Sequence, residues 1–167
     1  MIRRHANLPV SAWRNGAGRK ADIATGPGWL LGFAWLDADA DFSDYSGQDR
    51  TITLLQGPGF ALDFTEKPPL VVDQPHRPSW FDGGWPARCR LLGGPCLVLN
   101  AISERALWRH SVEIRAPLPD DTGFAVLLGD SVTLADGTIA SPLDALPLPV
   151  ALPPGVACAI ASFTPRA

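Results

Sequence analysis

Two short segments near the start of the chain combine side chains that could bind a carboxylate. The first is Trp13-Arg14-Asn15-Gly16-Ala17-Gly18, and the second spans residues 42–50 and leads into the apolar residues 51–55. Together they supply an indole, two guanidinium groups, an amide and acidic side chains beside glycine turns. Guanidinium groups bind carboxylates through two parallel hydrogen bonds. These segments therefore predict a pocket for a small acidic molecule.

Arg50 is the leading candidate to anchor such a ligand. It directly precedes the apolar residues 51–55, so its guanidinium could project from the end of a strand into the mouth of a barrel. The alternative role is structural, because a buried arginine usually has a carboxylate partner of its own. Asp22, Asp44 or Asp49 could be that partner and fasten the turn.

Other candidate residues have two interpretations each. Asn15, which follows Trp13 and Arg14, could bind a ligand amide or close the glycine turn through its own backbone, which is common for asparagine beside glycine. Trp35 lies on the alternating residues 33–36 and could form the wall of a pocket or belong to the core.

A further candidate cluster follows the apolar residues 96–99. Asn100 could point inward from the end of a strand. Arg105 could supply a second cation to the pocket or form a salt bridge with Glu104 or Glu113.

The histidines and cysteines do not suggest a metal site. His5, His76 and His110 are far apart in the sequence and form no HxH pair. A site for a small transition metal would need several imidazoles and a carboxylate together. We expect no metal and no other cofactor.

Nucleophilic catalysis is not indicated either, and no catalytic residue is assigned. The chain has no GxSxG motif. Cys89, Cys96 and Cys158 are odd in number, without a CxxC pair, and are predicted to be reduced thiols packed in the protein. Reduced thiols favour the cytoplasm.

Composition limits the classes of partner. The 167 residues carry a formal net charge of −3, and their basic residues are scattered, which argues against nucleic acid. No apolar run follows the basic residues at the start, and none is long enough to cross a bilayer. We expect a soluble, cytoplasmic protein with no membrane partner.

Glycine and proline interrupt the chain so often that short strands are favoured over long helices. There are 16 glycines and 17 prolines. Apolar or alternating segments bounded by turn residues predict strands at 30–36, 51–55, 60–64, 89–92, 96–99, 111–114, 124–128 and 158–163. Tight turns are expected at 56–59 and 136–137. The pattern is typical of a β-sandwich or barrel.

The organisation predicts one compact unit with two halves, 1–116 and 117–167. Proline breaks the strand pattern after residue 116, and strands could be exchanged between the halves. Residues 53–62 and 125–134 both follow the order strand, glycine turn, strand, which suggests a duplicated β unit. The proline-rich residues 143–154 are expected to form an edge or covering segment, and residues 80–86 a loop in which Asp82 caps a turn.

Together with Trp80-Phe81-Asp82-Gly83 and Leu99-Asn100-Ala101-Ile102-Ser103-Glu104-Arg105, the two opening segments resemble the ordered motifs of the HutD/Ves family. Asp22 occupies the place of an acidic residue that family members carry after the first turn, whereas Glu104 stands where a basic residue is expected. The resemblance implies an all-β, bicupin-like fold without metal-binding histidines. The candidate ligand-binding residues are then Trp13, Arg14, Asn15, Asp22, Trp35, Arg50, Asn100 and Arg105.

The resemblance also implies a function. Such proteins are associated with bacterial histidine utilisation and are proposed to bind an acidic intermediate, such as urocanate or a formylated glutamate, and to regulate the pathway without catalysing a step. Two alternatives stay open. One is a metal-independent isomerase or lyase with His76 or His110 as acid or base, and the other is a structural or partner-binding module with filled barrel mouths. Edge pairing of the sheets predicts a homodimer.

Overall fold

The computed structural model describes residues 1–13 and 15–167, and Arg14 lies outside the described residues. The expected all-β architecture is confirmed: the regular secondary structure of the described residues consists of strands and one short 3-10 turn, His5–Asn7. In chain order the strands are β1 (Ser11–Ala12), β2 (Gly18–Gly26), β3 (Trp29–Leu36), β4 (Ala40–Asp41), β5 (Gln48–Gln56), β6 (Phe60–Phe64), β7 (Leu70–Val72), β8 (Ser79–Asp82), β9 (Ala87–Leu91), β10 (Cys96–Glu104), β11 (Trp108–Arg115), β12 (Phe124–Leu127), β13 (Val132–Thr133), β14 (Ile139–Ala140), β15 (Ala145–Pro147) and β16 (Cys158–Pro165). Among the described residues, no helix has the length and apolar character needed to cross a membrane.

The largest sheet has six antiparallel strands in the order β1-β2-β3-β10-β5-β8. Its central strand, β10, begins with a continuous buried run, Cys96-Leu97-Val98-Leu99. Such a run suits a strand that is covered on both faces, because both sets of alternating side chains then need to be apolar.

One face of this sheet packs against the four-stranded sheet β4-β9-β6-β7. The core between them contains Ile52 and Leu54 from β5 and Phe60 and Leu62 from β6. Because side chains alternate along a strand, Arg50 projects to the same face as Ile52 and Leu54. The arginine therefore stands at the end of an inward-facing row.

The opposite face packs against a second four-stranded sheet, β11-β16-β12-β15. Leu31 and Phe33 of β3 meet Val126 and Ala159 there. A further core lies on the far side of that sheet, where the hairpin β13-β14 and the proline-rich segment cover it. Leu148, Val150 and Leu152 of that segment pack on this core, and β15 forms the edge of its sheet, as predicted for proline-rich chain.

The chain changes sheet at β11, before the predicted division at 116 and 117, which allows for strands exchanged between the halves. The chain leaves the six-stranded sheet after β10, because β11 pairs with β16 in the second sheet. The proline-containing loop after β11 therefore separates two strands of one sheet, β11 and β12, which both pair with β16. Proline marked a loop here, but not a change of sheet.

The N-terminal residues cross from one half to the other. Arg3 forms a backbone bridge with Ala145. Buried Asp144 accepts hydrogen bonds from Arg4 Nη1 at 2.8 Å and from the backbone N–H groups of His5 and Ser141 at 2.9 Å. These contacts form an N-terminal clasp between Arg3-Arg4-His5 and Asp144-Ala145.

For residues 80–86, one local prediction is wrong and another is confirmed. Residues 79–82 form strand β8, paired with β5, whereas the sequence predicted a loop. Pairing with β5 gives this segment ladder hydrogen bonds that its own sequence does not reveal. Asp82 nevertheless caps the following turn, accepting from the Gly84 N–H at 2.8 Å, which confirms that part of the prediction.

Gly59 in the turn between β5 and β6 is predicted to tolerate no side chain. Its φ is +106°, and a Cβ there would lie 2.7 Å from both the Val72 carbonyl oxygen and the Asp73 Cα. Gly59→Ala should lower the free energy of unfolding by about 2–3 kcal/mol. Gly129→Ala is the control, because a Cβ at Gly129 meets no atom within 4 Å. Equal urea midpoints for the two variants would contradict this account.

Candidate functional site

A cavity of about 650 Å³ opens beside the six-stranded sheet in the first half of the protein. Its floor includes Gly32 of β3 and Asn100 of β10, and Arg50 of β5 lies at one side. Phe42 and Tyr45, from the segment between β4 and β5, also line it. The mouth of this half therefore holds an open space as well as packed side chains.

Arg50 is a buried cation without a carboxylate partner among the described residues. Only 5% of the residue is exposed. The one side-chain hydrogen bond found for it within the described residues joins Nη2 to Asn100 Oδ1 at a long 3.4 Å, and its Nε has no partner there. Burial lowers the pKa of Arg50 to about 10, with the nearby Tyr45 opposing the shift. An unpaired buried charge is costly, so the arrangement favours an anion.

The three aspartates proposed as structural partners of Arg50 have other contacts. Asp49 accepts from Arg105 Nε at 2.9 Å, and Asp44 accepts from the Ser46 hydroxyl at 2.7 Å. Asp22 lies 3.6 Å from Lys20 Nζ. None of these carboxylates forms a salt bridge with Arg50 in the described part of the chain.

Three aromatic rings surround the Arg50 guanidinium. Its central carbon lies 5.1 Å from the centroid of Phe42 and 4.9 Å from those of Tyr45 and Phe81. Aromatic faces attract a cation and partly offset its desolvation. Phe42 and Tyr45 lie in the segment of residues 42–50 that the sequence indicates for the pocket, but their contacts with Arg50 were not predicted.

Asn100 places an amide donor beside this cation. Arginine has donors only, so the amide oxygen of Asn100 must face Arg50 and the amide Nδ2 is left to donate elsewhere. Because Asn100 lines the cavity, this amide is available to a ligand.

Trp13, Asn15 and Asp22 also line the cavity. Asn15 Oδ1 accepts from the Ala17 N–H at 3.0 Å, so the asparagine does close its turn, as one interpretation held. The predicted contribution of Arg14 falls outside the described residues.

Trp35 and Arg105 lie away from the described lining of the cavity. Trp35 projects to the opposite face of β3, where its ring lies 5.8 Å from that of His5. There it packs against the core between the six-stranded sheet and the sheet β11-β16-β12-β15. Arg105 pairs with Asp49 and Asp82, each at 2.9 Å. The structure thus gives Trp35 a core position and Arg105 a role in fastening β10 to β5 and β8.

None of the three histidines lines the cavity as described. His76 is exposed, and His5 packs against Phe33 with ring centroids 4.7 Å apart. His110 lies between the sheets, where Nε2 is 2.9 Å from Thr51 Oγ1 and Nδ1 is 2.6 Å from Ser103 Oγ. No group of three potential metal-ligating side chains occurs among the described residues.

All three cysteines are buried and free. Burial raises the pKa of the Cys89 thiol to about 12 and that of Cys158 to about 11, and it also raises the pKa of Cys96. Thiols of this kind form little thiolate near neutral pH and are poor nucleophiles. The prediction of packed thiols is confirmed.

His110 should make the protein less stable in mild acid. Burial lowers the pKa of His110 below its ordinary 6.5, with Asp49 opposing the shift, and burial also lowers that of His5. The unfolded chain then binds protons more readily, so stability falls as pH drops through about 6.5. His110→Gln should reduce the loss in urea midpoint between about pH 7.5 and 5.5. An equal loss in the variant would contradict this assignment.

Comparison with known proteins identifies relatives. The model of the HutD family matches residues 5–145. An uncharacterised 21.2 kDa protein from the hutC 3' region of Pseudomonas putida is 34% identical over 112 residues, which are 59% of this chain and 55% of that protein. Protein Ves of Cronobacter sakazakii is 31% identical over 119 residues, which are 64% of this chain and 62% of Ves. The chain thus spans less than two thirds of the length of these curated relatives.

Two solved structures share the fold along the chain. HutD from Pseudomonas fluorescens SBW25 superposes with a TM-score of 0.83 at 22% identity, covering 100% of this chain and 99% of that one. A conserved protein of unknown function from Pseudomonas aeruginosa PAO1 gives 0.74 at 23% identity, covering 100% and 98%. The cupin-type β fold predicted from the sequence is confirmed by the first of these matches. The match of the family model over residues 5–145 shows that the chain belongs to the HutD family.

Proposed function

We propose that the protein binds a small carboxylate in the cavity beside Arg50 and acts in histidine utilisation by binding rather than by catalysis. Family membership supports the association with histidine utilisation. The observation that carries the binding proposal is the buried guanidinium of Arg50, which has no carboxylate partner among the described residues and lines an open cavity.

A ligand carboxylate would neutralise the buried positive charge of Arg50. The guanidinium has lost most of its hydration, and the rings of Phe42, Tyr45 and Phe81 replace only part of it. A carboxylate held by charge-assisted hydrogen bonds would offset the remaining cost, and the low local dielectric would strengthen these bonds. Urocanate and N-formylglutamate are the proposed ligands, and binding of either would allow the protein to modulate histidine catabolism.

The enzyme alternative has less support. It requires a histidine in the cavity, but His110 has both ring nitrogens engaged by Thr51 and Ser103, and His76 is exposed elsewhere. The partner-binding alternative requires filled barrel mouths, whereas the first half holds an open cavity of about 650 Å³.

Thermal unfolding with candidate metabolites tests the proposal. The purified protein is heated with urocanate, N-formylglutamate, formiminoglutamate, glutamate or histidine. A ligand at about 100 times its dissociation constant should add about 2.7 kcal/mol of stability. A selective shift without consumption of the ligand is the expected result. Consumption would favour an enzyme, and no shift with any compound would contradict the proposal.

A further inference from the structure

The polar groups of the cavity form a row across the six-stranded sheet. Asp22 of β2 pairs with Gly32 of β3, Gly32 pairs with Asn100 of β10, and Asn100 pairs with Ile52 of β5. Arg50 lies two residues before Ile52 and points to the same face. The row therefore runs from a carboxylate, across a glycine and an amide, to a guanidinium.

Gly32 keeps the middle of this row open. It lines the cavity and has no side chain, and a Cβ built on it would lie 3.5 Å from Asp22 Oδ1. The Asp22 carboxylate thus leans over the floor of the cavity. A β-bulge between Asp22 and Ala24 accompanies this orientation, and bulges commonly redirect a side chain.

The two ends of the cavity present different charged groups. Arg50 is the cation at the buried end. The described lining at the other end contains Asp22 and Lys20, whereas Asp41 adjoins Phe42 and pairs with Arg88 Nη1 at 3.3 Å. Lys20 Nζ lies 3.6 Å from Asp22 Oδ1, and both side chains are about half exposed, so this pair is loose. The Asp22 carboxylate is therefore the acceptor that this end offers to a ligand once its loose pair with Lys20 opens.

We propose that the ligand of this cavity is bipolar, with a carboxylate at Arg50 and a cationic or hydrogen-bond-donating group at Asp22. This inference rests on the proposed function and narrows its ligand class. The Asn100 Nδ2 lies between the ends and donates to the carboxylate or to an acceptor in the middle of the ligand. A ligand cation displaces Lys20 from its loose pair with Asp22.

The strand spacing sets the length of the ligand. Neighbouring strands lie about 4.8 Å apart and each residue advances about 3.4 Å, so the Cα atoms of Asp22 and Arg50, three strands and two residues apart, are separated by about 16 Å. Hydrogen bonds and side chains fill part of this distance at each end. A ligand with a few carbon atoms between its two charged groups would span the distance that is left.

Three five-carbon acids that differ in the group opposite their carboxylate measure how much the Asp22 end contributes to binding. δ-Aminovalerate carries an ammonium, valerate a methyl group and glutarate a second carboxylate. Ligand-detected NMR reads their dissociation constants even when binding is weak. We expect the wild type to bind δ-aminovalerate at least about tenfold more tightly than valerate or glutarate, the difference that one charge-assisted hydrogen bond makes.

Two variants assign the preference to its residue. Asp22→Asn should bring δ-aminovalerate to the affinity of valerate measured with the same variant. Asp63→Asn is the control, because Asp63 pairs with Arg90 at 3.0 Å outside the described lining of the cavity. It removes the same charge and should keep the preference.

The outcomes separate this inference from the proposed function. If glutarate or valerate binds as tightly as δ-aminovalerate, or if Asp22→Asn keeps the preference, the bipolar ligand is wrong although Arg50 still binds carboxylates. If none of the three acids binds, or if Arg50→Met binds them as the wild type does, both the inference and the proposed function fail.

Discussion

Replacing Arg50 by methionine should abolish carboxylate binding and leave the unliganded protein at least as stable as the wild type. The lowering of the Arg50 pKa to about 10 corresponds to a desolvation cost of about 3 kcal/mol, because each pKa unit is worth about 1.4 kcal/mol. Methionine carries no such cost and packs well against aromatic rings. The lost cation–π contacts offset part of the gain. Apolar replacement of buried charges is often neutral or stabilising.

The effect on binding should be large. Losing charge-assisted hydrogen bonds of about 1.5–3 kcal/mol each should weaken carboxylate binding at least about 100-fold. Calorimetric titration measures the affinity, and urea unfolding without ligand measures the stability. Loss of the folded state in Arg50→Met would assign Arg50 to structure instead.

Arg105→Met is the matched control for this experiment. Both arginines were candidates from the sequence, but Arg105 pairs with Asp49 and Asp82 outside the described cavity lining. The substitution leaves these two carboxylates without their cation. It should therefore lower stability while the ligand-induced shift remains. The opposite pattern would contradict the assignment of the two arginines.

Replacing Asp144 by alanine should destabilise the protein by about 3–5 kcal/mol. Asp144 is only 2% exposed, and it accepts hydrogen bonds from the Arg4 guanidinium and from the backbone N–H groups of His5 and Ser141. Its removal leaves the backbone N–H groups of His5 and Ser141 without this acceptor, at about 1–3 kcal/mol for each that is buried, and leaves Arg4 Nη1 with the Ile139 carbonyl oxygen. Urea unfolding should show a large fall in midpoint.

Two comparisons sharpen the Asp144 prediction. Asp63→Ala breaks the Arg90–Asp63 pair, whose side chains are 51% and 42% exposed, and should change the midpoint far less. Carboxylate binding to Asp144→Ala should persist below its melting temperature, because the described lining of the cavity belongs to the first half. A small effect of Asp144→Ala would show that the N-terminal clasp contributes little.

Much of the fold could be predicted because its strands are apolar and bounded by turn residues. The segment at 51–55 forms the interior of β5, and the segment at 96–99 forms the first part of β10. Strand β8 was missed because it is short and exposes Trp80, which is 53% accessible. Its strand conformation depends on pairing with β5, and partners distant in sequence leave no local signal.

The residues of the site were predictable in part, because they lie in recognisable motifs. Family motifs indicated Arg50, Asn100 and Asp22, and these three residues line one cavity. The pairing of Arg105 with Asp49 and Asp82, and the aromatic rings around Arg50, depend on which strands become neighbours. Residue types alone could not distinguish the arginine with carboxylate partners from the one without. The homodimer and the cytoplasmic location stay predictions.

Crystal structures of the protein grown with urocanate and, separately, with N-formylglutamate would test directly whether a ligand carboxylate binds Arg50 in the cavity. The account predicts that at least one of these compounds occupies the cavity with its carboxylate within hydrogen-bond distance of the Arg50 guanidinium, about 2.7–2.9 Å. A ligand bound elsewhere, or a carboxylate directed away from Arg50 while the cavity stays free of other anions, would contradict it.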